Sequence, residues 1–123
     1  MPEMYYATAV LSADSALNTT TAIVTDGRYS GAMKGPCIGH VAPEAIEGGP
    51  IALVADGDLI EINVPRRLLE IVGVGEHRAP DEIEEILEER RRIWKPLLPR
   101  HDSGILSLYS RVARGSSEGA SIT

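Results

Sequence analysis

One cysteine, Cys37, is all that the 123 residues contain. A single thiol closes no internal disulfide and cannot assemble a cysteine-ligated metal cluster, which takes several such ligands. Beside Ile38, Cys37 reads as a small buried hydrophobe. Basic residues are also short: 12 Lys and Arg stand against 18 Asp and Glu, for a net charge of −6. Nucleic-acid binders usually carry a basic footprint, so this balance argues against that class. No apolar run approaches the roughly 18 residues of a membrane span, and no secretory signal opens the chain. No internal repeat is visible. The expectation is a cytoplasmic protein that engages neither membrane nor nucleic acid. As a single domain, 1–123, it is long enough to bury about two-thirds of its unfolded surface.

What is present is a series of short apolar runs cut by glycine and proline. Pro2 suits a first helical turn, and Met4, Tyr5, Thr8, Ala9 and Leu11 give that helix an apolar face through residue 13. A polar connection covers 14–20. Short strands are expected at 21–25 and 37–41, with a helical turn from Pro43 to Ile46 that Gly48 and Gly49 end. Ile51–Val54 and Leu59–Val64 flank Asp56-Gly57, a hairpin signal. Ile60, Ile62 and Val64 fall on one face of the second run. A further strand is expected at 68–72 after the Pro65 break. The clearest helix is 80–95, with a stripe of Ile83, Ile86, Leu87, Ile93 and Trp94. Acidic residues occupy its first turn and arginines its last, which complements the helix dipole, and Glu88 and Arg92 are spaced to pair. A last short helix spans Ile105 to Val112. Many short strands with few helices predict mixed β with flanking helices, in a barrel or sandwich.

The stretch Thr25-Asp26-Gly27-Arg28-Tyr29-Ser30-Gly31 carries the chemistry. A buried strand ends there in a loop with glycine at 27, 31 and 35. Glycine lets backbone approach a ligand closely, and successive N–H groups form anion-binding nests. One reading is a carboxylate site with a reactive Ser30. The other is a plain surface turn, with the hydroxyl bonding local backbone. Arg28 and Lys34 either bind a substrate carboxylate or brace the loop. His40 reads as structural, hydrogen-bonded near a strand end. Asp56 and Asp58, beside Gly57, read as turn residues. The GAMKG segment lacks the spacing of a phosphate-binding P-loop.

Three co-linear motifs narrow the choice. TDGRYSGAMKG at 25–35, IGHVAPEA at 38–45 and GGPIALVADGDLIEI at 48–62 stand in one order. That order and spacing resemble the C-terminal part of the dihydroxy-acid dehydratase / sugar-acid (phosphogluconate) dehydratase family. MPEM at 1–4 looks like the family's GMPEM, RRRIWKP at 90–96 like its RRxxW segment, and GSSEGASIT at 115–123 like its tail. The resemblance implies a barrel-like swivelling β/β/α domain. It implies a hydro-lyase that converts a 2,3-dihydroxy acid to a 2-keto acid, in branched-chain amino-acid biosynthesis. Ser30 matches the family's proposed base, and Glu3 its Mg2+ ligand. Arg28, Gly31 and Lys34 are the residues expected to bind substrate.

The resemblance further implies that the iron–sulfur cluster and most magnesium ligands belong to an N-terminal domain outside this chain. The expected partners are that N-terminal dehydratase domain, a small hydroxy-acid substrate and further copies in a homo-oligomer. Alone, the chain is expected to be inactive. Two alternatives stay open: a sugar-acid (aldonate or phosphogluconate) dehydratase domain, and a non-catalytic binding module that kept the fold. Tyr29 stands where the family usually has Phe, and Ala32-Met33-Lys34 where Gly-Thr-Arg or Ala-Thr-Arg is frequent. Met33 removes a hydroxyl close to Ser30. The start of the 2–13 helix and the 25–35 loop are expected side by side, with Glu3 and Ser30 opening on one cleft.

Overall fold

The computed structural model describes residues 4–29, 33–98 and 101–122. Helix α1 (Tyr5–Ala13) buries Thr8 and Leu11. The Thr8 hydroxyl donates back to Met4 O and Tyr5 O at 3.0 and 2.9 Å, so a polar side chain is buried without an orphaned group. The expected helix start at Pro2 lies outside the described residues. The connection after α1 holds a short helix of its own, α2 (Leu17–Thr20), where Asp14 Oδ1 accepts the N–H groups of Ala16 and Leu17.

The next two strands are shorter than predicted. β1 (Ile23–Val24) and β2 (Cys37–Ile38) form a parallel pair, with Ile23 opposite Cys37 and Val24 opposite Ile38. A 3₁₀ turn (Ala45–Glu47) follows and ends at Gly48, whose φ of 75° is left-handed. Glycine suits that conformation, and the position lies against the Trp94 ring. At the neighbouring Gly49 a Cβ would sit 1.8 Å from Pro43 O.

Ile51–Val54 is not a strand. Pro50–Leu53 forms a second 3₁₀ turn, with Gly49 as N-cap and proline in its first turn. Pro50 has no N–H for a ladder and a φ preset for a helical turn. The Asp56-Gly57 turn therefore does not join two strands. The hairpin forms one element later, between β3 (Leu59–Asn63) and β4 (Leu68–Gly73), around the Pro65 turn. Arg67, at φ 54°, closes that turn by donating its N–H to Val64 O at 3.0 Å. Ile60 opposite Ile71 and Ile62 opposite Leu69 make the hairpin's apolar face. On the other face Glu61 stands opposite Glu70, an unfavourable like-charge pair. The Asn63 amide donating to Glu61 and Arg66 at 3.8 Å offset it in part.

Helix α3 (Pro80–Ile93) forms as its leading proline and charge order dictate, with Ile83 buried and Ile86 and Leu87 half-buried. Ile93 departs from the predicted stripe and is 76% exposed. It lies within about 20° of Ile86 by helical rotation, but it is the last residue of the helix, beyond the Ile83–Leu87 line that packs. Arg90 falls on that line instead, and Glu88 pairs with Arg91 rather than Arg92. Helix α4 (Gly104–Val112) and a 3₁₀ turn (Ser116–Glu118) complete the described chain.

The fold is a mixed α/β arrangement with two separate two-stranded sheets and no closed barrel among the described residues. Strands of two residues, such as β1 and β2, leave few ladder groups with which to close a ring. Among the described residues the buried apolar side chains are Leu11, Leu53, Val74 and Ile83. Between the two sheets and α3 lies an apolar groove of about 790 Å³, with Val24, Ile38, Ile60, Leu69 and Ile83 on its walls. The total accessible surface is 9173 Å². A compact monomer of 13.2 kDa exposes roughly 6,400 Å². Much apolar surface is left uncovered, including Ile105, Leu106, Leu108 and Val112 of α4.

Candidate functional site

Parallel pairing delivers the ends of β1 and β2 to the same side, and the two loops beyond them are laced together. Thr25 N–H donates to Ile38 O at 2.9 Å, Val41 N–H to Thr25 O at 3.2 Å, and His40 N–H to Gly27 O at 2.9 Å. His40 takes φ 55° to make that bond. The Gly27 N–H turns back onto Thr25 Oγ1 at 3.0 Å. Beneath the loop the Tyr29 hydroxyl faces two strand carbonyls, Ile23 O at 2.9 Å and Ile38 O at 3.2 Å. Burial, with Cys37 nearby, pushes the Tyr29 phenol up. Gly39 lies flat on that ring: a Cβ there would meet it at 3.1 Å and Gly27 O at 3.3 Å. Cys37 is half-buried rather than fully buried.

Two carboxylates fix what surrounds the loop. Asp26 Oδ2 accepts the Ala45 N–H at 2.8 Å, pulling the 40–45 segment against the 25–28 turn. Glu44 Oε1 accepts the Ser116 N–H at 2.6 Å, bringing the C-terminal turn to the same place. The Ser116 hydroxyl beside it and the Ser116 N–H hold the Glu44 carboxyl below the usual carboxylate range, with a further pull from His40. That hydroxyl is enclosed and makes no well-formed hydrogen bond among the described residues. The result is a cleft of about 430 Å³ lined by Asp26, Gly27, Arg28, His40, Glu44, Ile46, Tyr109, Ser116 and Ala120.

Of the sequence-predicted site residues, Arg28 lines this cleft and is exposed. Lys34 is not among the described residues that line it. Its N–H donates to Ser12 Oγ at 2.9 Å, which ties the loop to the last turn of α1, and its side chain is exposed. Gly35, at φ 87°, reinforces this join by close approach to Asn18 O. Glu3, Ser30 and Gly31 lie outside the described residues, and so does their expected juxtaposition. The described contact between loop and helix is at the helix's C-terminal end, not its start. The His40 N–H is bonded near the strand end, while its side chain is exposed and lines the cleft.

No group of three or more His, Cys, Asp or Glu is placed to hold a metal ion among the described residues. The cleft's two carboxylates are engaged by backbone N–H groups, and one thiol cannot carry a cluster. The described residues by themselves therefore fit neither a magnesium centre nor an iron–sulfur cluster.

Asp26, Glu44, Tyr109 and Ser116 were given no role by the sequence. Asp26 and Glu44 stand within the motifs quoted above, each one residue away from a residue considered for another reason. Ser116 stands in the tail segment, where no residue type announces a role. Only the fold shows that these segments meet.

The sequence profile of the family described as dihydroxy-acid/6-phosphogluconate dehydratase C-terminal matches residues 1–120. A dihydroxy-acid dehydratase of Archaeoglobus fulgidus is 47% identical over 122 residues, covering 99% of this chain and 20% of that protein. One of Ignicoccus hospitalis is likewise 47% identical over 122 residues, with the same coverage. One of Geobacter metallireducens is 44% identical over 123 residues, covering 100% of this chain and 20% of its own length. The chain thus spans about a fifth of the curated relatives it matches.

Proposed function

Because this chain belongs to the dihydroxy-acid/6-phosphogluconate dehydratase family, as its C-terminal part, we propose that it carries the base for a hydro-lyase acting on 2,3-dihydroxy acids. Ser30 takes the proton from C2 of the substrate. The C2–H electron pair becomes the C2–C3 double bond, and the C3 hydroxyl leaves with its bonding pair, taking the proton that Ser30 gained to depart as water, which restores the Ser30 alkoxide. The enol so formed becomes the 2-keto acid. A serine hydroxyl ionises far above neutral pH, so this role demands oriented N–H donors and nearby positive charge. The glycine-rich 27–35 loop supplies the first, and Arg28 contributes to the second. Arg28, Gly31 and Lys34 hold the substrate carboxylate.

The observation that supports this most is that three separate motif segments, at 26–28, 40–46 and 116–120, line one cleft. The relatives' shared name favours a dihydroxy acid over a sugar acid, and in this reading the reaction belongs to branched-chain amino-acid biosynthesis. The family uses Mg2+ and an iron–sulfur cluster. In this reading Glu3 is one magnesium ligand, and the remaining ligands and the cluster come from an N-terminal domain. Together they supply the electrophilic pull on the carboxylate and the departing hydroxyl. The chain is then a single domain, 1–123, silent by itself, cytoplasmic, and part of a homo-oligomer. Its fold is read as the swivelling β/β/α kind. Support comes from a parallel pair, a hairpin and a helix gathered around one apolar groove.

The test is a chimera in which this chain replaces the C-terminal fifth of the Archaeoglobus fulgidus relative. Formation of a 2-keto acid from a branched 2,3-dihydroxy acid is expected, and its loss on Ser30→Ala. A chimera loaded with metal and cluster that turns over normally with Ser30→Ala would overturn the reading.

A further inference from the structure

The C-terminal turn has an unusual support. It closes on itself, with Ala120 N–H on Gly115 O at 3.1 Å and Arg114 N–H on Ser121 O at 2.9 Å. Ser117, Glu118 and Gly119 are exposed. Two side chains hold it in place. Glu44 accepts the Ser116 N–H at 2.6 Å, and the Tyr109 hydroxyl donates to Ala120 O at 3.1 Å. Gly115 lies so close to Glu44 that a Cβ would come within 3.1 Å of Oε2.

Held this way, the turn forms the wall of the 430 Å³ cleft facing Arg28. The two walls differ in chemistry. On the Arg28 side one Asp26 oxygen accepts the Ala45 N–H, and Arg28 makes no ion pair among the described residues, so its guanidinium can meet an anion. On the tail side Glu44 is likewise occupied, and Ile46, the Tyr109 ring and Ala120 present apolar surface. A ligand matching both walls has a carboxylate at one end and an apolar group at the other.

We propose that the 115–120 turn is the substrate-recognition wall for the alkyl end of a dihydroxy acid, and that Glu44 is the positioning residue that sets it. This rests on the dehydratase reading above. Its consequence is selectivity: a branched alkyl group is favoured there, and a polyhydroxylated chain is not.

The test uses the chimera, with 2,3-dihydroxy-3-methylbutanoate and gluconate as substrates. Ser116 opens its 3₁₀ turn, and Gly115 before it sits at φ −58°, ψ 162°. Proline is tolerated in that context, so Ser116→Pro removes the N–H donor with little backbone strain. Ser116→Pro and Glu44→Ala should raise KM for the branched acid about tenfold, as loss of a hydrogen bond to a charged group does. Turnover should stay within about twofold, the mark of lost uniform binding. Preference over gluconate should shrink accordingly. Glu44→Gln, whose amide oxygen still accepts the Ser116 N–H, should recover most of the KM lost in Glu44→Ala.

Hydrogen exchange at 117–122 should quicken in Glu44→Ala and not in Glu44→Gln, whatever the activity. An active chimera whose KM and selectivity ignore Ser116→Pro and Glu44→Ala overturns this proposal alone. So does a Glu44→Gln as damaged as Glu44→Ala. A chimera inert toward both substrates overturns the dehydratase reading and this proposal with it.

Discussion

Arg90 holds Asp58 in a two-pronged ion pair, Nη1 to Oδ2 at 2.5 Å and Nη2 to Oδ1 at 3.1 Å. The same Nη1 donates to Leu53 O at 2.9 Å. One side chain of α3 thus ties down both the 3₁₀ turn and the start of β3. The Asp58 side chain is 1% exposed, yet its neighbours Asp56, Gly57 and Leu59 are exposed. The guanidinium is a thin lid over it, and water is near.

That pair sets an acid limit. Hydrogen bonds from Arg90, then from Ala55 N–H, outweigh burial and hold the Asp58 carboxyl below the usual aspartate range. A carboxyl whose folded pKa is depressed contributes stability above its unfolded value. The contribution is full above about pH 4 and lost as pH falls through the folded value. Asp58→Asn should cost about 2 kcal/mol at pH 7. The gap to the parent chain should close as pH drops below the unfolded aspartate value. Urea unfolding at a series of pH values checks this, and a gap constant with pH would contradict it.

Tyr29→Phe should cost about 1 kcal/mol, the net worth of an ordinary hydrogen bond. The ring would keep its place on Gly39, so the loop should stay laced. Denaturant midpoints measure the loss, and an unchanged midpoint would show that the hydroxyl contributes nothing.

In the assembled enzyme, Ser30→Ala should lower kcat by roughly a thousandfold, the scale of a lost general base. Glu3→Gln should act differently, raising the magnesium concentration needed for half-maximal rate before it lowers the maximal rate. Titrating Mg2+ against initial rate separates the two. Equal responses of both variants would count against the assigned roles.

The chain by itself should associate. Its accessible surface of 9173 Å² exceeds that of a compact monomer of this mass by roughly 2,800 Å², more than the roughly 800 Å² per partner of a standard interface. Sedimentation should show a concentration-dependent rise above the monomer mass. A monomer at every concentration would mean that the apolar face of α4 is tolerated in water.

Helix α3 was readable because its determinants are local: Pro80 at the start, acids in the first turn, arginines in the last. The loop after β1 was readable for the same reason, through its glycines. The 3₁₀ turn at Pro50–Leu53 was not, since a proline at the head of an apolar run suits a helical turn as well as a strand edge. Asp58 was correctly placed in a turn, but its partner Arg90 lies 32 positions away. Glu44 and Ser116 are 72 positions apart. Neither pairing leaves a periodic trace, because each depends on where two distant segments come to rest. The barrel expected from the resemblance rested on strand pairing between elements too short to announce their partners.

Gly49 has a consequence for how this sequence can drift. Every one-base missense change of a glycine codon brings in a residue with a Cβ. At this position a Cβ falls 1.8 Å from Pro43 O and 3.1 Å from Glu44 O, and the Gly49 N–H already donates to Glu44 O. No flexible side chain stands there to move aside, only backbone. Each such mutation would therefore push on the backbone of the residue that anchors the tail. The codon is closed to single steps, and only silent changes pass.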